Sequence, residues 1–325
     1  MYMFKYILKR VGLMLLTFSI IFVTCFVLIK LLPVDYTTVG VGQDRDKLER
    51  LLNARGYNKP IIEQLYLYIE RIIVDGDFGI GVNMPEYVNK PVLDAFLTRL
   101  PPTILINIYS SLFAVPLGIG LGILAALKKN KWQDHLISTG VMVFISVPGF
   151  VTAMLVLYIL CFELGWLPLG MMSLADAGGT YLNWPMFKSM LPAVISMSFG
   201  SIAGYARFTR AELCEVLTSE YMLLARTKGL TKSQATIRHA LRNSMVPIFP
   251  SIVGEFISVL SGSMIIENIF RINGVGGLYL SAINAPDYDF FMFLSAFYLL
   301  VGLVAGLVID LSYGIIDPRI RMGAR

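Results

Sequence analysis

The chain has 325 residues, 56% of them apolar and only 15% charged, with a net charge of +5 and a mean hydropathy of +0.69. An average soluble domain is about 25% charged, so these figures exclude an ordinary soluble fold. The segments between apolar runs are too short for a catalytic domain of usual size, and Cys25, Cys161 and Cys214 form no disulfide or metal-site spacing.

At the N-terminus, Lys5, Lys9 and Arg10 precede an uncharged run from Val11 to Ile29. The run is long for a signal peptide and no small-residue cleavage site follows it. Residues 1–32 therefore read as a cytoplasmic N-terminus and an uncleaved first membrane helix. Residues 33–98 read as an extracytoplasmic helical segment. In it, Leu48, Leu51 and Leu52 share a helical face that Gly56 can terminate. Pro60 can start a second helix with Ile62, Leu65, Ile69, Ile72 and Ile73 on one side, stopped by Asp75-Gly76-Asp77.

Residues 99–313 read as a transmembrane domain. A crossing takes about 20 residues at about 1.5 Å each, and the apolar runs predict helices at about 103–127, 136–160, 189–206, 244–266 and 290–312, six with the first. Pro116, Pro148 and Pro250 fall in or near the ends of these helices, where the missing N–H and the ring predict kinks. Basic residues near helix ends remain cytoplasmic. An inside N-terminus gathers Lys5, Lys9 and Arg10, the lysines at 128, 129 and 131, seven bases between Arg207 and Arg242, and Arg319, Arg321 and Arg325. The short outer loops keep only Lys188 and Arg271. Both termini are then cytoplasmic, with residues 314–325 as a tail. The positive side faces the anionic inner leaflet, so the charge calls for no nucleic-acid partner.

Within the spans, Glu255 stands out, because an ionisable group at helix centre costs several kcal/mol unless paired, neutral or facing water. It either lines a translocation pathway or hydrogen-bonds Ser251, Ser258 or a partner hydroxyl. Asp310 lies near a helix end where a base such as Arg207 can pair with it. His135 and His239 are solitary and lack metal-site spacing.

The inner loop, residues 207–243, is longer and more basic than a connector needs. A helix can run from Glu220 to Lys228, with Glu220 in its first turn and Arg226 and Lys228 in its last, as the helix dipole favours. Gly229 can end it in the left-handed conformation. Thr231 can then cap a second helix through Ala235, His239 and Arg242. The product is a compact knob on the cytoplasmic face.

This loop resembles the "EAA" loop of ABC-importer membrane subunits, in the form found in the oligopeptide, dipeptide and nickel permease family. The matching residues are Glu220-Tyr221, Ala225-Arg226, Lys228-Gly229-Leu230, Arg238-His239-Ala240-Leu241-Arg242-Asn243 and Pro247. Leu223 stands where the general pattern has Glu. Further similarities follow in order: Leu32-Pro33-Val34-Asp35 (lacking a family glycine), Gly76-Asp77-Phe78-Gly79, Arg99-Leu100-Pro101, Glu267-Asn268-Ile269-Phe270, Gly274-Val275-Gly276, Asp287-Tyr288 and Asp317-Pro318-Arg319-Ile320-Arg321. Within that family the chain resembles the B-type subunit of the oligopeptide permeases.

The resemblance implies an all-α integral membrane protein with the six-helix fold of type I ABC importers. It also implies a coupling role for the loop residues Glu220, Tyr221, Ala225, Arg226, Lys228, Gly229, Leu230, His239, Arg242 and Asn243, seated in a cleft of an ATPase. The expected partners are a second homologous permease subunit, two cytoplasmic ATPase subunits, an extracytoplasmic peptide-binding protein and the lipid bilayer of a bacterial cell membrane. The chain holds no G-x-x-x-x-G-K-[ST] phosphate loop, so ATP and magnesium are expected on the ATPases, with no cofactor on this chain. The implied solute is a short peptide, with dipeptides, nickel or another small solute as alternatives. A stand-alone secondary transporter would be expected to show internal repeats and several intramembrane ionisable groups. An intramembrane enzyme would need a catalytic constellation beyond Glu255.

Overall fold

The computed structural model describes residues 2–31, 50 and 52–316. Among these residues the regular structure is helical, with two isolated β-bridges pairing Ile80 with Pro91 and Gly81 with Val88. In chain order the helices are α1 (Tyr2–Leu31), α2 (Ile61–Asp75), α3 (Val92–Leu127), α4 (Trp132–Ser146) and α5 (Gly149–Val156, prolonged by a π-helical stretch, Leu157–Glu163). Then follow α6 (Trp184–Leu217), α7 (Glu220–Thr227), α8 (Lys232–Ala235), α9 (Leu241–Ser258), α10 (Met264–Ile269), α11 (Val275–Asn284) and α12 (Tyr288–Ile316).

Among the described residues, four helices are long and apolar enough to cross a bilayer: Lys5–Leu31, Val92–Leu127, Trp184–Leu217 and Tyr288–Gly314. The bent pair Trp132–Ser146 and Gly149–Glu163 makes a fifth if taken as one span. The chain is thus an all-helical membrane protein.

Two of the six expected helices are interrupted. The run at 136–160 breaks at Pro148, where the sequence placed a kink, and turns by 103° between α4 and α5. Pro148 is the cause: Val147 before it is extended (φ −82°, ψ 124°), as the proline ring requires of its predecessor. The run at 244–266 stops at Ser258 and resumes at Met264, capped by Ser263. By contrast Pro116 and Pro250 lie within unbroken helices.

The chain divides into two compact units, Met1–Pro101 with Asn273–Val304, and Pro102–Ile272 with Ala305–Arg325. In the first, Phe26 and Ile29 of α1 pack with Tyr68 of α2 and with Tyr288 and Met292 of α12. A second core joins Val92, Ala95 and Phe96 of α3 to Val275 and Leu278 of α11 and to Phe290 and Leu294 of α12. Helix α2 starts after Pro60 and ends at Gly76, whose φ of +63° closes a left-handed cap. Its apolar residues do not share the single face expected. Ile61, Leu65, Tyr68 and Ile72 pack inward, while Ile62, Ile69 and Ile73 are exposed. Leu48 and Leu51, expected on an earlier helix, lie outside the described residues.

In the second unit, α3 and α6 meet at close range because Gly118 and Gly122 present no side chain. A Cβ on Gly118 would fall 2.8 Å from the Ile202 carbonyl, and one on Gly122 2.7 Å from that of Ala206. Small residues permit such backbone approach where lipid supplies no hydrophobic drive between helices. Beside this seam Val115 packs with Tyr205 and Ile248, and farther along the same helices Ile106, Met186, Met190 and Val194 share a larger buried cluster with Phe270.

Candidate functional site

The knob is built on the ends of α6 and α9. Helix α7 begins after Ser219, and Glu220 lies in its first turn and Arg226 in its last. It ends at Thr227, one residue short of the expected Lys228, which acts as C-cap. Gly229 follows with φ +91°. The turn is closed by Gly229 N–H donating to the Arg226 carbonyl (3.0 Å) and Leu230 N–H to that of Ala225 (3.4 Å). Thr231 caps α8 in a capping box: its Oγ1 accepts from Gln234 N–H (3.3 Å), and Gln234 Oε1 accepts from Thr231 N–H (3.0 Å). The chain then widens through a π-helical stretch, Thr236–Ala240, and enters α9 without a break.

Met222 and Ala225, three residues apart, fix the inward face of α7. With Ala235 and Ala240 they pack on Leu213 of α6 and Ala126 of α3. Of the predicted loop residues, only Ala225 is buried and Leu230 half-buried; Glu220, Tyr221, Arg226, Lys228, Gly229, His239, Arg242 and Asn243 are all exposed. Beside Tyr221 (41% exposed), Leu223 (64%) and Leu224 (55%) are also exposed. Leu224 was not among the sequence candidates, although the Met222 and Ala225 spacing already excludes it from the inward face. A mixed apolar and basic surface therefore projects from a packed support.

An ion pair that the sequence did not reveal sits on the α6 side of that support. Arg210 donates from Nη2 to Asp134 Oδ2 (2.8 Å) and from Nε to Oδ1. Asp134, 2% exposed, also accepts from the Asn130 N–H (2.9 Å) and the Ser138 hydroxyl (3.2 Å). The pair ties the start of α4 to the last two turns of α6. Residues 76 positions apart carry no local pattern that marks them.

Glu255 lies half-buried in α9. Its Oε1 accepts from the Ser201 hydroxyl of α6 (3.0 Å), and one turn away Tyr205 donates to the Ser251 carbonyl (3.1 Å). The side-chain partner is thus Ser201, whereas Ser258 donates to the Glu255 backbone carbonyl.

Several motifs outside the loop have a structural use. Asp287 Oδ2 accepts from the backbone N–H of Val82 (2.6 Å) and Asn83 (2.8 Å). Asp289 Oδ2 accepts from Ile80 N–H (3.0 Å), and its other oxygen from the Tyr57 hydroxyl. Gly79 (φ +107°) is compulsory there, since a Cβ would lie 2.2 Å from Asp289 Oδ2. Burial pushes Asp287 up to about 6 despite its backbone donors; burial, then the Asp289 charge, holds the Tyr57 phenol well above its usual range. Lys30 Nζ stands over the rings of Tyr57 (3.8 Å) and Tyr288 (4.4 Å). Arg99 clasps Tyr87, Asn273 and Glu86 at 2.7, 2.9 and 3.1 Å. In the second unit, buried Glu267 accepts from the Thr103 hydroxyl (2.9 Å). The motifs at 32–35 and 317–321 lie outside the described residues.

Spanning helices with an exposed helical knob between α6 and α9 define a multi-helix membrane protein. The chain belongs to the family of binding-protein-dependent transport system inner membrane components, whose model matches residues 118–322, with the family's N-terminal model matching residues 3–107. It is 33% identical over 321 residues to the dipeptide transport system permease protein DppB of Lactococcus lactis subsp. cremoris (strain MG1363), covering 98% of this chain and 100% of that one. It is 32% identical over 322 residues to the glutathione transport system permease protein GsiC of Escherichia coli (strain K12), covering 98% and 99%. A solved MetNI methionine ABC transporter in inward-facing conformations aligns with 68% of this chain and 97% of that one, at 13% identity and a TM-score of 0.49. The protein is accordingly a multi-pass inner-membrane permease subunit of an ABC transporter. It is not itself an enzyme, and it works with a solute-binding protein and an ATPase.

Proposed function

We propose that this chain pairs with a second, homologous permease subunit to form the pathway of an ATP-driven importer of short peptides. Two cytoplasmic ATPase subunits dock inside, one of them receiving this chain's knob in a cleft, and an extracytoplasmic binding protein delivers the solute; ATP and magnesium stay on the ATPases. The observation that carries the docking role is the exposed Tyr221, Leu223 and Leu224 beside Arg226 and Lys228, on a helix packed against α6 and joined by the Gly229 turn to α8, which runs on into α9. Apolar side chains outside the membrane spans favour a protein partner, and a rigid link to two long helices lets force on the knob reach the membrane. The peptide reading draws on the full-length relatives, one named for dipeptide and one for glutathione transport.

In this reading both termini and the knob are cytoplasmic. Cysteine at Ser173 or Ala285 should react with an impermeant thiol reagent in intact cells stripped of their outer wall, and cysteine at Asn130 or Ser233 should not. Labelling of Asn130 from outside would reject the orientation. Docking is tested by Leu224→Asp. Fully burying a leucine stabilises by about 1.5–3 kcal/mol, so ATPase retention on the purified membrane subunits should fall by about tenfold or more. Retention at the wild-type level would remove α7 from the interface. For the solute, exchanging the binding protein for a relative that still docks should change the spectrum of peptides taken up; a spectrum that follows this chain would place selection in the membrane.

A further inference from the structure

Within the first unit, a cavity of about 450 Å³ lies between α1, α2 and α12. Its walls are largely aromatic and aliphatic, among them Phe18, Phe22, Ile72, Phe78, Phe293 and Phe297. Ser19 and Tyr68 bring the only hydroxyls to that lining, and Ser19 donates its own back to the Leu15 carbonyl (2.9 Å). Such a cavity has almost nothing to offer a peptide bond or a charge, whose burial without hydrogen bonds is costly. It is open to the outside, since Ile69 and Leu300 of its lining are 36% and 47% exposed.

Its depth identifies what lies against it. Phe18 and Leu300 fall at or beside the centres of the spans Lys5–Leu31 and Tyr288–Gly314. From Leu300 the groove follows α12 back to Phe293, about 10 Å at helical rise, toward the end of the span where α2 packs. That is most of one leaflet's share of a hydrocarbon core about 30 Å thick. The exposed side of α2 extends the apolar surface: Ile62 (83%), Tyr66 (64%) and Ile73 (76%) form one stripe with Ile69. Glu63 and Glu70 lie off that stripe and are exposed. A helix with such a stripe beside two membrane spans has the character of an interfacial helix, its apolar side sunk to the acyl boundary.

We propose that this groove is a lipid site that holds one acyl chain of a phospholipid from the leaflet beside α2, with α2 lying along the membrane surface as its rim. The test is photo-crosslinking of the assembled transporter in phospholipid vesicles, with Phe293 replaced by p-benzoylphenylalanine. Leu16, which is 56% exposed on α1 and lies outside the groove, serves as the control position. Illumination should give a phospholipid adduct at both sites. After exhaustive detergent washing before illumination, the adduct at Phe293 should persist and that at Leu16 should vanish.

Ala296→Trp, which fills the groove from α12, should lower the Phe293 adduct by about tenfold, as expected from losing room for about two methylenes. Ala296→Met should lower it less, and guards against a misfolded tryptophan variant. An adduct from Phe293 to the second permease subunit instead of lipid would overturn the proposal. So would equal loss of the two adducts on washing.

Discussion

Gly229→Val separates backbone geometry from side-chain packing in the knob. A Cβ at Gly229 would meet nothing within 4 Å, and the residue sits at φ +91°, so the whole cost of a side chain there is conformational. For an L-residue that cost is about 1–2 kcal/mol, more when the residue is β-branched. One such increment shifts a local equilibrium by about 5- to 30-fold. The affected equilibrium is the turn closed by Gly229 and Leu230 N–H, which sets the angle between α7 and α8. Three variants should rank accordingly: Gly229→Asn near wild type, since asparagine tolerates the left-handed region, Gly229→Ala intermediate, and Gly229→Val lowest. The assay is solute uptake and ATP hydrolysis in the same proteoliposomes, with assembly of the membrane subunits checked separately. Gly229→Val should weaken ATPase docking, or leave basal hydrolysis without solute-linked stimulation and uptake. Equal activity of all three variants would refute the reasoning. A loss with Asn as large as with Val would also refute it, because steric crowding is absent at this position.

Asp134 is buried but Arg210 is 33% exposed, so removing one partner should destabilise by about 1.5–3 kcal/mol, the range for hydrogen bonds to charged groups, read as a lower thermal midpoint for Arg210→Met, with Asp134→Leu/Arg210→Met recovering most of the loss; no recovery would mean that Arg210 acts elsewhere. Glu255→Gln keeps the Ser201 hydrogen bond, so uptake should be unchanged if the carboxylate only joins α6 to α9 and should fall, with assembly intact, if its charge serves the pathway. Asp287 is held at about 6, above the ordinary carboxylate value. The folded chain therefore keeps a proton between about pH 4 and 6 that the unfolded chain has lost, and this contribution to stability falls as pH rises through that window and is level above it. Asp287→Asn should flatten that slope in a thermal series from about pH 4 to 8; an unchanged slope would assign it to another group.

The membrane class, the approximate sites of the apolar spans and the knob's punctuation were legible in the sequence, because each rests on short-range rules. Twenty apolar residues satisfy their own backbone in a helix wherever they sit in lipid. A glycine at a helix end and a Thr with Gln three residues later settle local hydrogen bonds without help from the rest of the chain, as Gly229, Thr231 and Gln234 do. Pro148 marked its kink locally, but hydropathy could not find the break after Ser258, since it interrupts a stretch that is equally apolar on either side. Nor could it separate Leu65 from Ile69 on α2, both apolar and about one turn apart; packing against α1 and α12 half-buries one and leaves the other exposed. Asp134 with Arg210, Glu255 with Ser201, and Asp287 and Asp289 with the loop at 80–83 pair residues far apart in sequence. Their partners are chosen by which helices touch, and only the tertiary structure decides that.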